Sequence, residues 1–172
     1  MNEIATLNPS LSSTALALEP FFAPKGVAVI GASPKPGNQG KRIMDSLIAQ
    51  GYKGRRVAVH PDGESWDACQ SVRSLCEIPQ GIDLAISAVS AGQVEALIEP
   101  LADQGIHHLI VVSGGFSEIG VEGELLQNKL RDTAKKFAVR IVGPNCLGTF
   151  SASDKFNSFF LSPDETLLPA AG

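Results

Sequence analysis

A glycine-rich segment near the start of the chain has the composition of a phosphate-binding turn. Residues 27–42 read VAVIGASPKPGNQGKR, in which an apolar run ends at a glycine and a helix-like pattern follows two further glycines. Glycine permits a sharp exit from a strand and a close approach of backbone N–H groups to a phosphate, and the N-terminus of the next helix favours negative charge. We therefore predict a ligand that carries phosphate, bound by Gly31, Ser33, Gly37, Asn38, Gln39 and Gly40.

The spacing of this segment differs from the two commonest nucleotide-binding motifs. The dinucleotide fingerprint G-x-G-x-x-G requires a glycine where Ser33 stands, and an acid at the end of the second strand, where the sequence has His60 and Pro61. A P-loop requires a glycine where Lys35 stands and a serine or threonine where Arg42 stands. An NAD-binding dehydrogenase domain is therefore disfavoured, and a Rossmann-like turn that binds nothing is the structural alternative.

Strand-like runs alternate with helical patterns along most of the chain. The runs are rich in β-branched residues and nearly continuous in hydrophobicity, as in parallel strands that are buried on both faces. They are Val27–Ile30, Arg56–His60, Leu84–Val89, His108–Val112 and Val139–Val142. Apolar faces with helical spacing lie between them, at Ile43, Met44, Leu47 and Ile48, at Val94, Leu97, Ile98 and Leu101, and at Leu126, Leu130, Ala134 and Phe137. The alternation predicts a Rossmann-like, doubly wound α/β fold: a mainly parallel sheet with helices on both faces and ligands at the carboxyl ends of its strands.

The two ends of the chain differ in composition from its centre. We predict three parts, namely a flexible N-terminal segment over 1–16, a folded domain over 17–160 and a linker to a following domain over 161–172. A short helical lead-in is expected to cover one edge of the sheet with Phe21 and Phe22. The aromatic segment 147–160 is expected to pair as a hairpin.

Composition and charge exclude several functional classes. The chain has 172 residues, of which 44% are apolar, and this suffices for one sizeable core. The net charge is −4 without a cluster of lysine and arginine, so no nucleic-acid partner is expected. No apolar run is long enough for a membrane-spanning helix. Three cysteines lack metal-ligand spacing, so we expect no metal site and a cytoplasmic location.

Four motifs, in this order, resemble one known family. They are FFAPKGVAVIGASPKPGNQG (21–40), VAVHP (57–61), VSGGFSEIG (112–120) and RIVGPNCLG (140–148). Their order and content are similar to the CoA-binding domain of the acyl-CoA synthetases that form a nucleoside diphosphate. That superfamily includes succinyl-CoA synthetase alpha subunits and ADP-forming acetyl-CoA synthetases. The resemblance extends over roughly residues 18 to 160 and implies coenzyme A as the ligand.

The resemblance also implies a role for each motif. The glycine-rich turn would hold the phosphates of CoA. His60 and Pro61 would border its adenosine, and Val89 and Ser90 would line its pantetheine. The residues that would shape the thiol end of the site or the phosphoryl-transfer centre are Glu118, Asn145 and Cys146.

Some of these residues also have structural interpretations. Glu118 lies among turn residues and could cap the helix that follows. Cys146 could be a small buried residue, since no histidine follows it in the chain to act as its base. Among the three histidines, His60 ends a strand on the ligand side. His107 and His108 begin a strand at the opposite edge, where a structural role is expected.

Two positions depart from the family pattern. Family members commonly have a lysine that meets CoA phosphate where Asp62 stands, and a proline where Ser90 stands. A carboxylate repels phosphate, so the first change weakens the expected binding of CoA unless another cation compensates for it. The candidate cations are Arg55, Arg56 and Lys35.

The family reaction converts an acid, CoA and a nucleoside triphosphate to acyl-CoA, nucleoside diphosphate and phosphate through a phosphorylated histidine. In the family that histidine lies in a later domain, and no histidine of this chain matches its motif. The resemblance thus implies that this chain binds CoA but is inactive alone, and that its partners are further domains or a β-type ATP-grasp subunit. The alternatives are the CoA-binding domain of a fused protein acyltransferase and a stand-alone CoA- or nucleotide-binding regulator.

Overall fold

A six-stranded sheet forms the centre of the molecule. The computed structural model describes residues 18–63, 65–66 and 69–161. The strands are β1 (Gly26–Ile30), β2 (Arg55–Val59), β3 (Gln70–Val72), β4 (Leu84–Ser87), β5 (His108–Val111) and β6 (Arg140–Val142). They lie in the order β3-β2-β1-β4-β5-β6, and every neighbouring pair is parallel. This is the strand order of dinucleotide-binding folds, and the predicted Rossmann-like class is confirmed.

Helices cover both faces of the sheet. They are α1 (Gln39–Ala49), α2 (Ala91–Val94), α3 (Ile98–Asp103) and α4 (Val121–Lys136). On one face, Ile43, Met44 and Leu47 of α1 are fully buried against alternate residues of the central strands. On the other face, Ile98 and Leu130 belong to a second apolar cluster with the remaining strand residues. Each central strand is therefore buried on both sides, which explains its continuous hydrophobicity.

The structure differs from the expected elements at two places. Strand β3 was not predicted, because it has only three residues and two of them are polar. The helical pattern from Val94 to Leu101 is divided into α2, a 3-10 turn at Glu95–Leu97 and α3. Pro100 has no N–H group to continue the helical hydrogen bonds, and this favours the interruption.

The expected cover of one edge of the sheet is made by Phe21 and not by Phe22. Phe21 ends a 3-10 turn at Glu19–Phe21 and Phe22 follows it, and successive side chains of such a turn point in different directions. Phe21 is buried against the ring of His108, with 5.1 Å between ring centroids, at the edge of the sheet where β5 begins. The side chain of Phe22 is exposed. Two residues assigned to helical core faces, Ile48 and Leu126, are also exposed because each lies at the margin of its apolar stripe.

The expected hairpin is present after the sheet. Strands β7 (Phe150–Ser151) and β8 (Phe156–Asn157) pair antiparallel. Phe156 is fully buried and contacts the ring of Tyr52, so the hairpin completes the core on the α1 face. The predicted segment 1–16 and nearly all of the predicted linker 161–172 lie outside the described residues. None of the helices described has the length and apolar character needed to cross a bilayer.

Candidate functional site

The β1–α1 loop, residues 31–38, is held in shape by one side chain. Asn38 is the N-cap of α1, and its Oδ1 accepts hydrogen bonds from the backbone N–H groups of Lys41 at 2.7 Å and Ser33 at 3.2 Å. Its Nδ2 donates to the carbonyl of Gly31 at 2.9 Å. The amide therefore joins the start and the middle of the loop to the first turn of α1, and it fixes the shape of the loop.

The two glycines of the loop and the glycine in the first turn of α1 have different structural roles. Gly31 and Gly37 have positive φ angles of 87° and 80°, which side-chain-bearing residues rarely adopt. A Cβ on Gly37 would meet no atom of the described residues within 4 Å, so the space above it is open in this part of the structure. A Cβ on Gly40 would lie 2.5 Å from the Cα of Ala32. Gly40 is thus required for the close packing of α1 on the loop, whatever it contributes to a ligand.

The first turn of α1 presents backbone donors that have no partner among the described residues. The N–H groups of Gln39 and Gly40 make no hydrogen bond within the described part of the chain. The hydroxyl of Ser33 is buried nearby and also has no partner among the described residues. Because the macrodipole of this helix of 11 residues adds positive potential at the same place, the arrangement is suited to an anion such as phosphate.

The segment after β2 is tied to the β1–α1 loop by an ion pair. The ammonium of Lys35 lies 3.0 Å from Oδ2 of Asp62, and this contact lowers the pKa of the Asp62 carboxyl below its usual value. The backbone N–H of Asp62 donates to Nδ1 of the half-buried His60, whereas Pro61 is exposed. Lys35 therefore offsets the negative charge of Asp62.

The two candidate arginines do not take part in this compensation. Both belong to the beginning of β2, at the opposite edge of the sheet. The guanidinium of Arg55 donates to the carbonyl of Gln80, and that of Arg56 donates to the carbonyl of Tyr52.

The end of β4 borders the same loop. A Cβ on Gly31 would lie 3.0 Å from Cγ1 of Val89, so the residue after β1 and the residue after β4 are in close contact. Ser90 is exposed, and its hydroxyl donates to the side chain of Gln93 at 2.8 Å. These residues continue the edge formed by the β1–α1 loop toward β5.

Glu118 and Asn145 meet beside a glycine that follows β5. A Cβ on Gly114 would lie 2.9 Å from Oε1 of Glu118 and 3.3 Å from Oδ1 of Asn145. The carboxylate of Glu118 accepts hydrogen bonds from the backbone N–H groups of Gly115 and Phe116. The hydrogen bond from Gly115 is the main reason that the pKa of Glu118 lies below its usual value. The structure therefore brings two predicted residues together, with the carboxylate ionised at neutral pH.

Cys146 is half-buried, whereas its neighbour Asn145 lies beside Gly114. The thiol of Cys146 donates to the carbonyl of Val111 at 3.4 Å, and burial raises its pKa. A protonated thiol that donates to a carbonyl is a poor nucleophile, so the geometry favours a packing function. His107 and His108 lie at the beginning of β5, at the opposite edge of the sheet.

Two serines at the same edge were not identified from the sequence. Ser87 ends β4, and Ser113 follows β5 by two positions. Their hydroxyls are buried and, like that of Ser33, have no hydrogen-bond partner among the described residues. A polar residue at the end of an apolar strand was the available signal. Within the described ranges, no group of three or more histidine, cysteine or acidic side chains could hold a metal ion.

The fold and this edge define a class of ligand-binding Rossmann-like domains, and comparison with known proteins identifies the family. A family model described as a CoA binding domain matches residues 25–152. The chain therefore belongs to this family of CoA-binding domains, and the resemblance expected from the four motifs is confirmed.

Similar proteins are ADP-forming ligases that are longer than this chain. The alpha subunit of ADP-forming acetate–CoA ligase I from Pyrococcus furiosus is 38% identical over 149 residues, which are 84% of this chain and 32% of the relative. ADP-forming 4-hydroxybutyrate–CoA ligase from Nitrosopumilus maritimus is 33% identical over 144 residues, which are 83% of this chain and 20% of the relative. The chain thus spans a third or less of the length of these relatives.

Solved structures have the same fold. Acetyl-coenzyme A synthetase 1 from Ca. Korarchaeum cryptofilum, in complex with phosphate and ADP, gives a TM-score of 0.79 at 28% identity. That match covers 84% of this chain and 31% of the synthetase. A crystal structure of a protein from Pyrococcus horikoshii OT3 also gives 0.79, at 33% identity, and covers 85% of this chain and 33% of that protein.

Proposed function

We propose that this chain binds coenzyme A at the carboxyl edge of its sheet, as the N-terminal CoA-binding domain of an ADP-forming acyl-CoA synthetase. The observation that carries the proposal is the β1–α1 loop. Asn38 fixes the loop, while the N–H groups of Gln39 and Gly40 have no partner within the described residues. A helix N-terminus with unpaired donors is a site for phosphate, and CoA contains a pyrophosphate.

The proposed ligand follows the edge of the sheet from β2 to β5. The pyrophosphate binds at Gly31, Gly37 and the start of α1, with Ser33 as a further donor. The adenosine lies beside His60 and Pro61 at the end of β2. The pantetheine lies along Val89 and Ser90. This direction is supported by the ion pair from the β1–α1 loop to the segment after β2 and by the contact of Gly31 with Val89.

We place the thiol end of CoA near Glu118 and Asn145. The ionised carboxylate of Glu118 can orient a cationic or hydrogen-bond-donating group that another part of the enzyme supplies. Cys146 supports this centre by packing, since its thiol donates to a backbone carbonyl. In this proposal Glu118 and Asn145 contribute to the reaction without forming a covalent intermediate.

The complete reaction needs components outside this chain. We propose that an acid, CoA and a nucleoside triphosphate, ATP in the ADP-forming case, give acyl-CoA, nucleoside diphosphate and phosphate through a phosphohistidine on a following domain. The greater length of the relatives supports further domains or an ATP-grasp subunit as partners. Ile119, Val121 and Leu125, which are exposed beside Glu118, offer an apolar surface to such a partner. The three free cysteines are consistent with a cytoplasmic location.

Calorimetric titration of the purified chain with CoA tests the proposal, with NADH and ADP as parallel ligands. Two variants locate the site. Gly37→Asp places a carboxylate over the loop, whereas Gly37→Asn has nearly the same shape without the charge, and both residues tolerate a positive φ better than most. We expect saturable binding of CoA to the unmodified chain, a loss of more than about tenfold in affinity with Asp and a smaller loss with Asn. Binding of NADH but not CoA, or no binding of CoA, would contradict the proposal.

A further inference from the structure

A cation lies beside the segment that follows β2 and has no function in the site described so far. Arg73 follows β3, and β3 pairs with β2, so Arg73 is at the carboxyl edge of the sheet. The backbone N–H of His60 donates to the carbonyl of Val72 at 3.0 Å, which places the two segments next to each other. Sequence reasoning missed this residue because it missed β3.

The side chain of Arg73 packs against the segment proposed to border the adenosine. A Cβ on Gly63 would lie 2.7 Å from Cγ and 2.9 Å from Nε of Arg73. Because Gly63 has no side chain, the aliphatic part of the Arg73 side chain can occupy this space. The arginine residue itself is exposed, so its guanidinium is accessible from solvent.

Among the described residues, the charges around Arg73 leave its guanidinium available. The other cation at this end of the site, Lys35, is held by Asp62 at 3.0 Å, and together they carry no net charge. Glu77 is the acid in electrostatic contact with Arg73, but its carboxylate accepts from the Arg73 backbone N–H and from the hydroxyl of Ser74. No carboxylate of the described residues forms an ion pair with the guanidinium.

We propose that Arg73 forms a subsite for the phosphate monoester on the ribose of CoA, an inference that rests on the proposed function. In sheets with this strand order, the ribose of a bound nucleotide lies at the end of the second strand, and a nearby arginine accommodates a phosphate on that ribose. A guanidinium can form two parallel hydrogen bonds with phosphate oxygens. The subsite selects CoA over nucleotides that lack the ribose phosphate, although Asp62 stands close to it.

Comparison of CoA with 3′-dephospho-CoA tests the subsite, because the two ligands differ only in this phosphate. The ratio of their dissociation constants is measured by calorimetry for the unmodified chain, Arg73→Gln, Arg73→Lys and Arg55→Gln. Arg55→Gln is the matched control, since it removes the same charge at the opposite edge of the sheet. Far-ultraviolet circular dichroism and urea unfolding establish that each variant is folded.

We expect the unmodified chain and Arg55→Gln to bind CoA at least about fivefold more tightly than 3′-dephospho-CoA. Arg73→Gln should reduce that preference to about twofold or less by weakening CoA alone, and Arg73→Lys should keep part of it. An unchanged ratio in Arg73→Gln, or an equal loss of both ligands, would overturn the subsite while the proposed function stands. No binding of either ligand to the unmodified chain would overturn the proposed function and the subsite with it.

Discussion

The loops after β1 and β5 lie at the same edge of one sheet, but their polar side chains act in opposite ways. In the β1–α1 loop, the neutral amide of Asn38 satisfies the backbone of the loop itself and leaves the N–H groups of Gln39 and Gly40 unpaired among the described residues. In the loop after β5, the carboxylate of Glu118 accepts from the backbone N–H groups of Gly115 and Phe116.

This difference makes each loop suited to a different type of ligand group. The first loop combines unpaired donors with the positive end of a helix, and it is suited to a phosphate. In the second loop an acidic side chain already occupies the backbone donors, so a phosphate would meet a negative charge instead of a donor. This contrast supports our proposal that the phosphates of CoA bind at the first loop and its uncharged thiol end at the second.

The shape of the first loop depends above all on the packing of α1 against it. Gly40→Ala places a Cβ 2.5 Å from the Cα and 2.8 Å from the backbone nitrogen of Ala32, and backbone atoms cannot move aside cheaply. We expect a loss of about 2–3 kcal/mol in the free energy of unfolding, measured with urea. The control is Gly92→Ala in α2, where a Cβ would meet nothing within 4 Å. Equal stability of the two variants would contradict the packing described.

A smaller effect is expected from the side chain that shapes the first loop. Asn38→Ala removes three hydrogen bonds to the backbone, and loss of such a cap costs about 1–2 kcal/mol in the free energy of unfolding. Ser90→Ala is the matched control, because Ser90 is the N-cap of α2 but its side chain makes no capping hydrogen bond. Its cost should be within about 0.5 kcal/mol. A similar loss of unfolding free energy in the two variants would show that the side chain of Asn38 does not fix the shape of the loop.

The smallest effect is expected at the second loop and depends on pH. Because the pKa of Glu118 is lower in the folded chain than its ordinary value of 4.5, the ionised carboxylate stabilises the fold above pH 4.5. That contribution is lost as the pH falls below 4.5 and through the folded-state pKa. Thermal unfolding should show Glu118→Gln to be less stable than the unmodified chain at pH 7, and this difference should shrink as the pH is lowered below 4.5. A difference that does not change with pH would show that the carboxylate charge has no part in holding this loop.

Much of the fold could be predicted from local pattern. Apolar runs identified five of the six parallel strands, because β1, β4 and β5 are buried along their whole length and β2 and β6 have their arginines only at the start. Strand β3 has two polar residues among three and is defined mainly by its pairing with β2. The hydrophobic pattern of a single segment does not show which other strand that segment pairs with.

The site was predictable to a smaller extent, because its contacts join distant parts of the chain. The sequence indicated which loops meet, but not that Lys35 compensates Asp62, which lies 27 positions away, or that Arg55 and Arg56 do not. The polar atoms of Asn38 and Glu118 are bonded within their own loops, and this depends on backbone geometry that residue types alone do not determine.

The placement of the phosphates at the first loop is tested most directly by a nuclear magnetic resonance titration of the 15N-labelled chain with CoA, in which each backbone amide reports separately. We predict that the largest chemical-shift changes fall on the amides of Gln39, Gly40 and their neighbours in the β1–α1 loop. The amides of Gly115 and Phe116, which already donate to Glu118, should change less. Changes that are largest at Gly115 and Phe116, with little response at the start of α1, would contradict the assignment of the phosphates to the first loop.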